Sequence, residues 1–175
     1  MKGCAKFLNF IALIVFLILI LGTVALAGAT AVIGLRPDMI PAEAYGAFEA
    51  FKINGEPVTM EMIKSFHTPF LIILGVLVLS LILNLIIVAN IRTALKEVAN
   101  EEPFSIRCSK ALSTASLVVV IDGLLGIALS FYAAFILTGL TMDGNTVISI
   151  SSNLSFILVA VFLKMLSGVS AFGRG

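Results

Sequence analysis

Residues 69–91 read PFLIILGVLVLSLILNLIIVANI and contain no charged side chain. A helix rises about 1.5 Å per residue, so roughly 20 mainly apolar residues cross the hydrocarbon core of a bilayer, which is about 30 Å thick. Residues 69–91 meet this requirement, and so do three other stretches, residues 7–34, 112–140 and 147–166. The sequence therefore predicts an all-α fold, a bundle of four transmembrane helices in a single membrane domain.

The composition of the whole chain agrees with this interpretation. Of its 175 residues, 60% are hydrophobic and 12% are charged, and the mean hydropathy is +1.17. Soluble domains are about 45 to 50% apolar and about 25% charged, so a water-soluble fold is excluded. Eleven Lys and Arg residues against ten Asp and Glu residues give a net charge of +1, which is too small to favour nucleic acid as a partner. The partner that the composition predicts is the lipid bilayer.

The positions of Lys and Arg predict the orientation, because cytoplasmic segments carry more of them. Eight of the eleven basic residues lie near the two ends of the chain or in residues 92–111, whereas three lie in residues 35–68. We therefore expect both termini and residues 92–111 in the cytoplasm, and residues 35–68 outside it. The chain is therefore expected to be a multi-pass membrane protein.

The N-terminus allows a second interpretation. Lys2 and Lys6, an apolar run and the sequence Ala25-Leu26-Ala27 before Gly28 have the layout of a cleavable signal peptide. Removal of residues 1–27 would leave three spans. The apolar run continues to Ile33, about twice the usual length of a signal core, and so favours an uncleaved first helix.

Small residues recur every four positions in the outer half of the first span, for example Ala25 with Ala29 and Ala27 with Ala31. This spacing lets helix backbones approach closely in lipid. It predicts a packing face within the bundle, and the alternative is the seam of a homo-oligomer.

Enzymatic chemistry has little support in the residue types. His67, Cys4 and Cys108 are the only histidine and cysteines, which are too few soft ligands for a zinc or iron–sulfur site. The chain has no Gly-rich phosphate loop, no His-Glu-x-x-His, no Gly-x-Ser-x-Gly and no pair of acids within one span. We predict that the protein is not an enzyme, and we assign no catalytic, metal or cofactor-binding residue.

Asp122 is the one acid in the middle of a predicted span, where a charged side chain costs about 2.5–3.5 kcal/mol on insertion scales. It shares a helical stripe with small residues, among them Ala115 and Gly126, which predicts that it faces the bundle interior. Asn84 lies about 10 Å into the second span, a depth close to that of Asp122. Lys164 lies near the inner end of the fourth span, where lysine extends toward the headgroups. We expect Asn84 to be the partner of Asp122, with Lys164 as the second choice.

Two roles are open for Asp122. A single acid without a second carboxylate or inverted repeats favours an interhelical contact that fixes the register of the bundle. The alternative is a relay for protons or cations, which would make the chain a small oligomeric transporter or channel subunit.

Residues 92–111 have the pattern of a helical hairpin. The second helix continues past the membrane, Asn100 can cap its C-terminus, Pro103 prevents its continuation, and Ser105 can cap the N-terminus of the next helix. Phe104 stands directly before that cap. We call residues 92–111 the Pro-Phe hairpin, and Pro103, Phe104 and Ser105 are its candidate docking residues.

The stretch LKEVANEEPFS, residues 95–105, followed by an apolar helix from Leu112, resembles the bacterial YoaS-like family of four-helix membrane proteins. It departs from the family pattern at Glu101-Glu102, where a small residue is expected. The resemblance implies no enzymatic activity, and it implies a bacterial plasma (inner) membrane as the location. It implies a regulatory or interaction protein that binds or signals to a cytoplasmic helix-turn-helix regulator through the Pro-Phe hairpin.

Overall fold

The computed structural model describes residues 2–35, 52–53, 56–57, 67–100, 102–140 and 155–173. Its four long helices, in chain order, are α1 (Lys2–Leu35), α2 (His67–Ala99), α3 (Ile106–Leu140) and α4 (Ser155–Phe172). Two short strands, β1 (Lys52–Ile53) and β2 (Glu56–Pro57), pair antiparallel between α1 and α2. Asn54-Gly55, a dipeptide typical of tight hairpin turns, stands between the strands in the sequence.

All four helices are long and apolar enough to cross a membrane. Because a bilayer offers no water to backbone amides and carbonyls, a spanning segment must satisfy these groups internally, and a helix does so. The chain therefore has the architecture of a multi-pass membrane protein built from four helices.

The helices extend beyond the apolar stretches that the sequence marks. As the hairpin pattern predicts, α2 continues past the apolar span to Ala99 and α3 begins at Ile106, directly after Ser105. α4 ends at Phe172 and not at residue 166. Hydropathy detects only the part of a helix that suits hydrocarbon, whereas a helix continues until a cap or a proline stops it. The predicted start of the fourth span, at residue 147, lies outside the described residues.

Each helix packs mainly against its neighbours in chain order, α1 on α2, α2 on α3 and α3 on α4. The neighbours are antiparallel, because Gly34 lies against Leu71, Asn84 against Asp122 and Ser109 against Ser167. The start of α1, the end of α2, the start of α3 and the end of α4 therefore share one end of the bundle, which we call the hairpin end.

α1 contacts the rest of the bundle through one narrow seam. Its less exposed residues recur every three or four positions, as in Ala5, Asn9, Phe16, Thr30 and Ile33. The prediction that the alanine pairs form a packing face within the bundle is wrong, because Ala25, Ala27, Ala29 and Ala31 are all exposed. The physical reason is that the seam follows the larger residues Thr23, Leu26 and Thr30, which turns the alanines away from α2.

The best-packed part of the bundle joins α3 to its two neighbours. Ala115 is fully buried and packs with Val119 of α3 and with Ala160 and Leu163 of α4. Nearer the hairpin end, Cys108 and Ala111 of α3 are buried with Ala94 of α2. Small residues at these positions let the backbones approach closely, as packing in lipid requires.

Candidate functional site

Asp122 of α3 accepts hydrogen bonds from two side chains of α2. The Ser80 hydroxyl donates to Oδ1 at 2.6 Å, and the Asn84 amide donates to Oδ2 at 2.9 Å. The same amide nitrogen also donates to the carbonyl oxygen of Ser80 at 2.9 Å. Both carboxyl oxygens thus have a partner within the protein, which lowers the cost of placing an acid between spanning helices. We call Ser80, Asn84 and Asp122 the polar cluster.

The structure brings Asn84 and Asp122 together, as the sequence analysis expected. Ser80 was missed, although a signal for it exists in the sequence. It precedes Asn84 by four residues and therefore stands on the same face of α2, one turn away. A search along this face for hydroxyl groups would have found it.

Lys164, the second choice, is not a partner of Asp122. Its ammonium group donates to the Ser113 hydroxyl at 2.9 Å, and Ser113 is nine residues from Asp122 along α3, about 13 Å. The register of α3 and α4 is the reason. The ring of Phe156 lies over Gly123, so the residues of α4 opposite Asp122 are about two turns away from Lys164.

The small-residue stripe around Asp122 packs over only part of its length. Ala115 has no exposed surface, and Asp122 is half-buried, but Gly126 is exposed. The face of α3 that carries Asp122 is thus buried toward the hairpin end, at Ala115, and exposed farther along the helix, at Gly126.

The Pro-Phe hairpin is held by a network around Glu97, a buried acid of α2. Ser105 accepts a hydrogen bond from the backbone N–H of Cys108 at 3.0 Å, which confirms it as the N-cap of α3. Its hydroxyl also donates to Glu97 Oε2 at 3.0 Å, and the exposed Arg107 lies 3.9 Å from Glu97 Oε1. The Glu102 amide donates to the Glu97 carbonyl, a bond typical of helix C-termini. The turn is therefore bonded to both helices that it joins.

α4 closes the other side of the hairpin. The Ser170 hydroxyl donates to the Pro103 carbonyl oxygen at 2.7 Å, and the ring of Phe104 lies against Gly173. Phe104 keeps 43% of its surface exposed. The three candidate docking residues thus differ, because Pro103 and Ser105 use their polar atoms within the bundle and Phe104 presents part of its ring outward.

An open apolar groove of about 350 Å³ lies beneath the hairpin, between α2, α3 and α4. Its lining is almost entirely hydrocarbon, and the hydroxyl of its one serine, Ser170, is already bonded to Pro103. The residues that line it are Ile91, Ala94, Leu95, Val98, Pro103, Phe104, Cys108, Leu112, Leu163, Leu166, Val169 and Ser170.

No group of three His, Cys, Asp or Glu side chains that could hold a metal ion occurs within the described residues. Cys108 is buried beside the groove and Cys4 is exposed on α1. The chemistry that this part of the chain offers is hydrogen bonding by the polar cluster and apolar contact at the hairpin end.

Comparison with protein-family models, with curated proteins and with solved structures gives no match. The resemblance to the YoaS-like family therefore stays a prediction from residues 95–105.

Proposed function

We propose that this chain is a regulatory or interaction protein of a bacterial plasma membrane, with both termini and the Pro-Phe hairpin in the cytoplasm. The hairpin is its contact surface for a cytoplasmic protein, and a helix-turn-helix regulator is the class that the resemblance suggests. The observation that carries the proposal is the position of Phe104, partly exposed above an open apolar groove at an end of the bundle.

The hydrogen bonds that hold the hairpin support this role. Binding costs free energy whenever a loop must be ordered, and a preformed surface avoids that cost. Here the turn is bonded to Glu97 on one side and to Ser170 on the other, which holds the hairpin in one position beside the groove. An aromatic side chain beside an apolar recess is a common anchor of protein interfaces.

Charge supports the orientation. Lys6, Arg92, Lys96, Arg107 and Lys110 all belong to the hairpin end of the described bundle. Cytoplasmic ends of spanning helices carry such an excess of basic residues.

Site-specific crosslinking from the hairpin tests the proposal. The full chain carries a photoreactive residue at Ile106, which is exposed beside Phe104, and captured proteins are identified by mass spectrometry. We expect a cytoplasmic regulator of the helix-turn-helix class, lost in Phe104→Ala and kept in Phe172→Ala. Phe172 is a matched control because it is an exposed phenylalanine at the same end that does not line the groove. Capture of no such protein, or the same capture in both variants, contradicts the proposal.

A second candidate function is a small oligomeric transporter or channel subunit, and the polar cluster is the observation that favours it. An acid between spanning helices often belongs to an ion pathway. Flux of protons or cations into liposomes that contain the purified chain would support this function, and its loss in Asp122→Asn would tie the flux to the cluster.

A further inference from the structure

The groove beneath the Pro-Phe hairpin offers its occupant almost no polar partner. Its side chains are hydrocarbon except for the Cys108 thiol and for the Ser170 hydroxyl, which already donates to Pro103. An extended peptide inside the groove would leave backbone amides and carbonyls without hydrogen bonds, which costs free energy in an apolar environment. The lining therefore favours an occupant that carries no polar group along the length of the groove.

The groove runs along the helices. Its lining extends from Ile91 to Val98 on α2 and from Leu163 to Ser170 on α4, a distance of about 10 Å at the rise of a helix. Helices that cross a membrane stand within about 20° of the bilayer normal on average, and lipid acyl chains follow the same direction. One leaflet of the hydrocarbon core is about 15 Å thick, half of the whole, so the groove matches most of one acyl chain in length.

The inner end of the groove adjoins the apolar stretches of the sequence. Ile91 is the last residue of the uncharged stretch 69–91, and Leu112 begins the third apolar stretch. On the open side, Leu166 and Val169 of α4 keep 39% and 61% of their surfaces exposed. A hydrocarbon chain can therefore enter the groove sideways from the bilayer without crossing water.

Small side chains give the groove its depth. Ala94 of α2 and Cys108 of α3 are buried at its floor, whereas the larger Leu95 and Leu166 line it on α2 and α4. Protein interiors are close-packed, and a recess without contents forfeits the dispersion contacts of its lining. A flexible hydrocarbon chain restores these contacts.

We propose that the groove binds one acyl chain of a membrane phospholipid. The chain lies over Cys108, between Leu95 and Leu166, and its polar end points toward the Pro-Phe hairpin. This direction follows from the basic residues Lys96, Arg107 and Lys110, which mark the hairpin end as the headgroup side of the bundle. The hydrocarbon is the part that is recognised, and the headgroup contributes little.

Occupation of the groove also bears on the function proposed above, and this part of the inference rests on that function. Phe104 lines the groove and keeps 43% of its surface exposed. An acyl chain and an anchoring side chain of a cytoplasmic partner would therefore compete for the same space, which links lipid binding to the docking surface. Lipid binding itself requires no partner, so its tests use the purified full chain alone and can fail or succeed independently of partner capture.

Native mass spectrometry of the full chain in detergent tests the site with defined phospholipids. We expect one dioleoyl phospholipid to stay bound per chain, with affinities for phosphatidylglycerol and phosphatidylcholine that agree within about threefold. Dihexanoyl phosphatidylcholine should not be retained, because its short chains fill only part of the groove. No retained lipid, or a preference of more than about tenfold for one headgroup, contradicts the proposal. Complete displacement of the phospholipid by an equal concentration of oleic acid would overturn the assignment to a phospholipid.

Val169→Trp places a bulky side chain in the groove and should lower the affinity for dioleoyl phosphatidylcholine by about tenfold or more. The matched control is Val161→Trp, because Val161 is an exposed valine of α4 that does not line the groove. Equal affinities in the two variants contradict the proposal.

Photo-crosslinking of the wild type gives a test that needs no variant. The full chain is placed in liposomes with a phosphatidylcholine that carries a diazirine on its acyl chain, and labelled residues are identified by mass spectrometry. Leu79 and Ile82 of α2 are more exposed than Leu95 and Val98 but do not line the groove. We expect stronger labelling at Leu95 and Val98, because a bound chain stays there longer. Labelling that simply follows exposure contradicts the proposal.

Discussion

Asn84 on α2 donates a 2.9 Å hydrogen bond to Asp122 on α3, across an interface of two helices that are long and apolar enough to span a membrane. Because Ser80 supplies the second donor from the same face of α2, both oxygens of the acid are occupied by one helix. A bond of this kind fixes the axial register of two helices that lipid-facing side chains alone would leave free to slide. The geometry therefore supports a structural role for the polar cluster, and the relay stays the alternative.

Substitution of Asp122 separates these roles. Asp122→Asn retains hydrogen-bonding groups at this position, whereas Asp122→Leu leaves Ser80 and Asn84 without their interhelical acceptor. Interhelical hydrogen bonds in membranes contribute about 0.6 kcal/mol on average and about 1.7 at most. We expect Asp122→Leu to lower the free energy of unfolding in detergent by about 1 kcal/mol and Asp122→Asn by less.

The same two variants address transport when they are measured in liposomes. A structural role leaves any flux that the wild type shows intact in Asp122→Asn, because the packing persists. A relay loses its flux in Asp122→Asn, because an amide does not titrate. Equal stability of Asp122→Leu and the wild type would argue against the structural role.

Ser105 should be the most sensitive hydroxyl of the hairpin. Ser105→Ala removes both the N-cap of α3 and the bond to Glu97, which leaves a buried acid with one partner fewer. N-cap deletions cost about 0.5–2 kcal/mol, so we expect a loss of about 1–2 kcal/mol in detergent unfolding. Hydrogen exchange of the amides near residue 105 should rise as well.

Ser130→Ala is the control for this change. Ser130 is exposed, and its hydroxyl bonds only to the Gly126 carbonyl of its own helix. Its replacement should alter stability by less than about 0.5 kcal/mol. A similar loss in both variants would show that Ser105 has no special role as a cap.

The fold was accessible from sequence because the bilayer imposes a length and a composition on every spanning helix. The cap at Ser105 was predictable because serine is a preferred N-cap residue and Pro103 interrupts the helix before it. Contacts between helices were harder to predict from the sequence. Asn84 could be matched to Asp122 by depth alone, but Ser80 required the face of α2 to be read together with its depth.

Depth correctly ranked Lys164 below Asn84, but it did not predict Ser113 as the actual partner of Lys164. The sequence predicted that the fourth span ends at residue 166, whereas α4 ends at Phe172. The rotation and register of α4 on α3 then follow from Gly123 beneath Phe156 and from serines that bond across the interface, as Ser116 does to the Ala160 carbonyl at 2.8 Å. No single-sequence pattern fixes such a register.

Gly123 and Gly126 offer a sharp test of that register. A Cβ atom on Gly123 would meet the ring of Phe156 at a distance far inside van der Waals contact, whereas a Cβ atom on Gly126 would meet nothing within 4 Å. Overpacking of a tight contact costs about 1–3 kcal/mol, and glycine to alanine at an open helical position gains about 0.5–1 kcal/mol. We expect Gly123→Ala to destabilise the protein in detergent unfolding and Gly126→Ala to be neutral or stabilising.

Phe156→Leu provides the reciprocal measurement. A smaller side chain should relieve the clash, so the loss caused by Gly123→Ala should be smaller when both changes are present than in the single variant. A double-mutant cycle gives this coupling directly. If the two losses simply add, or if the two glycine variants behave alike, then Gly123 and Phe156 are not in contact and the packing of α3 on α4 differs from the register described above.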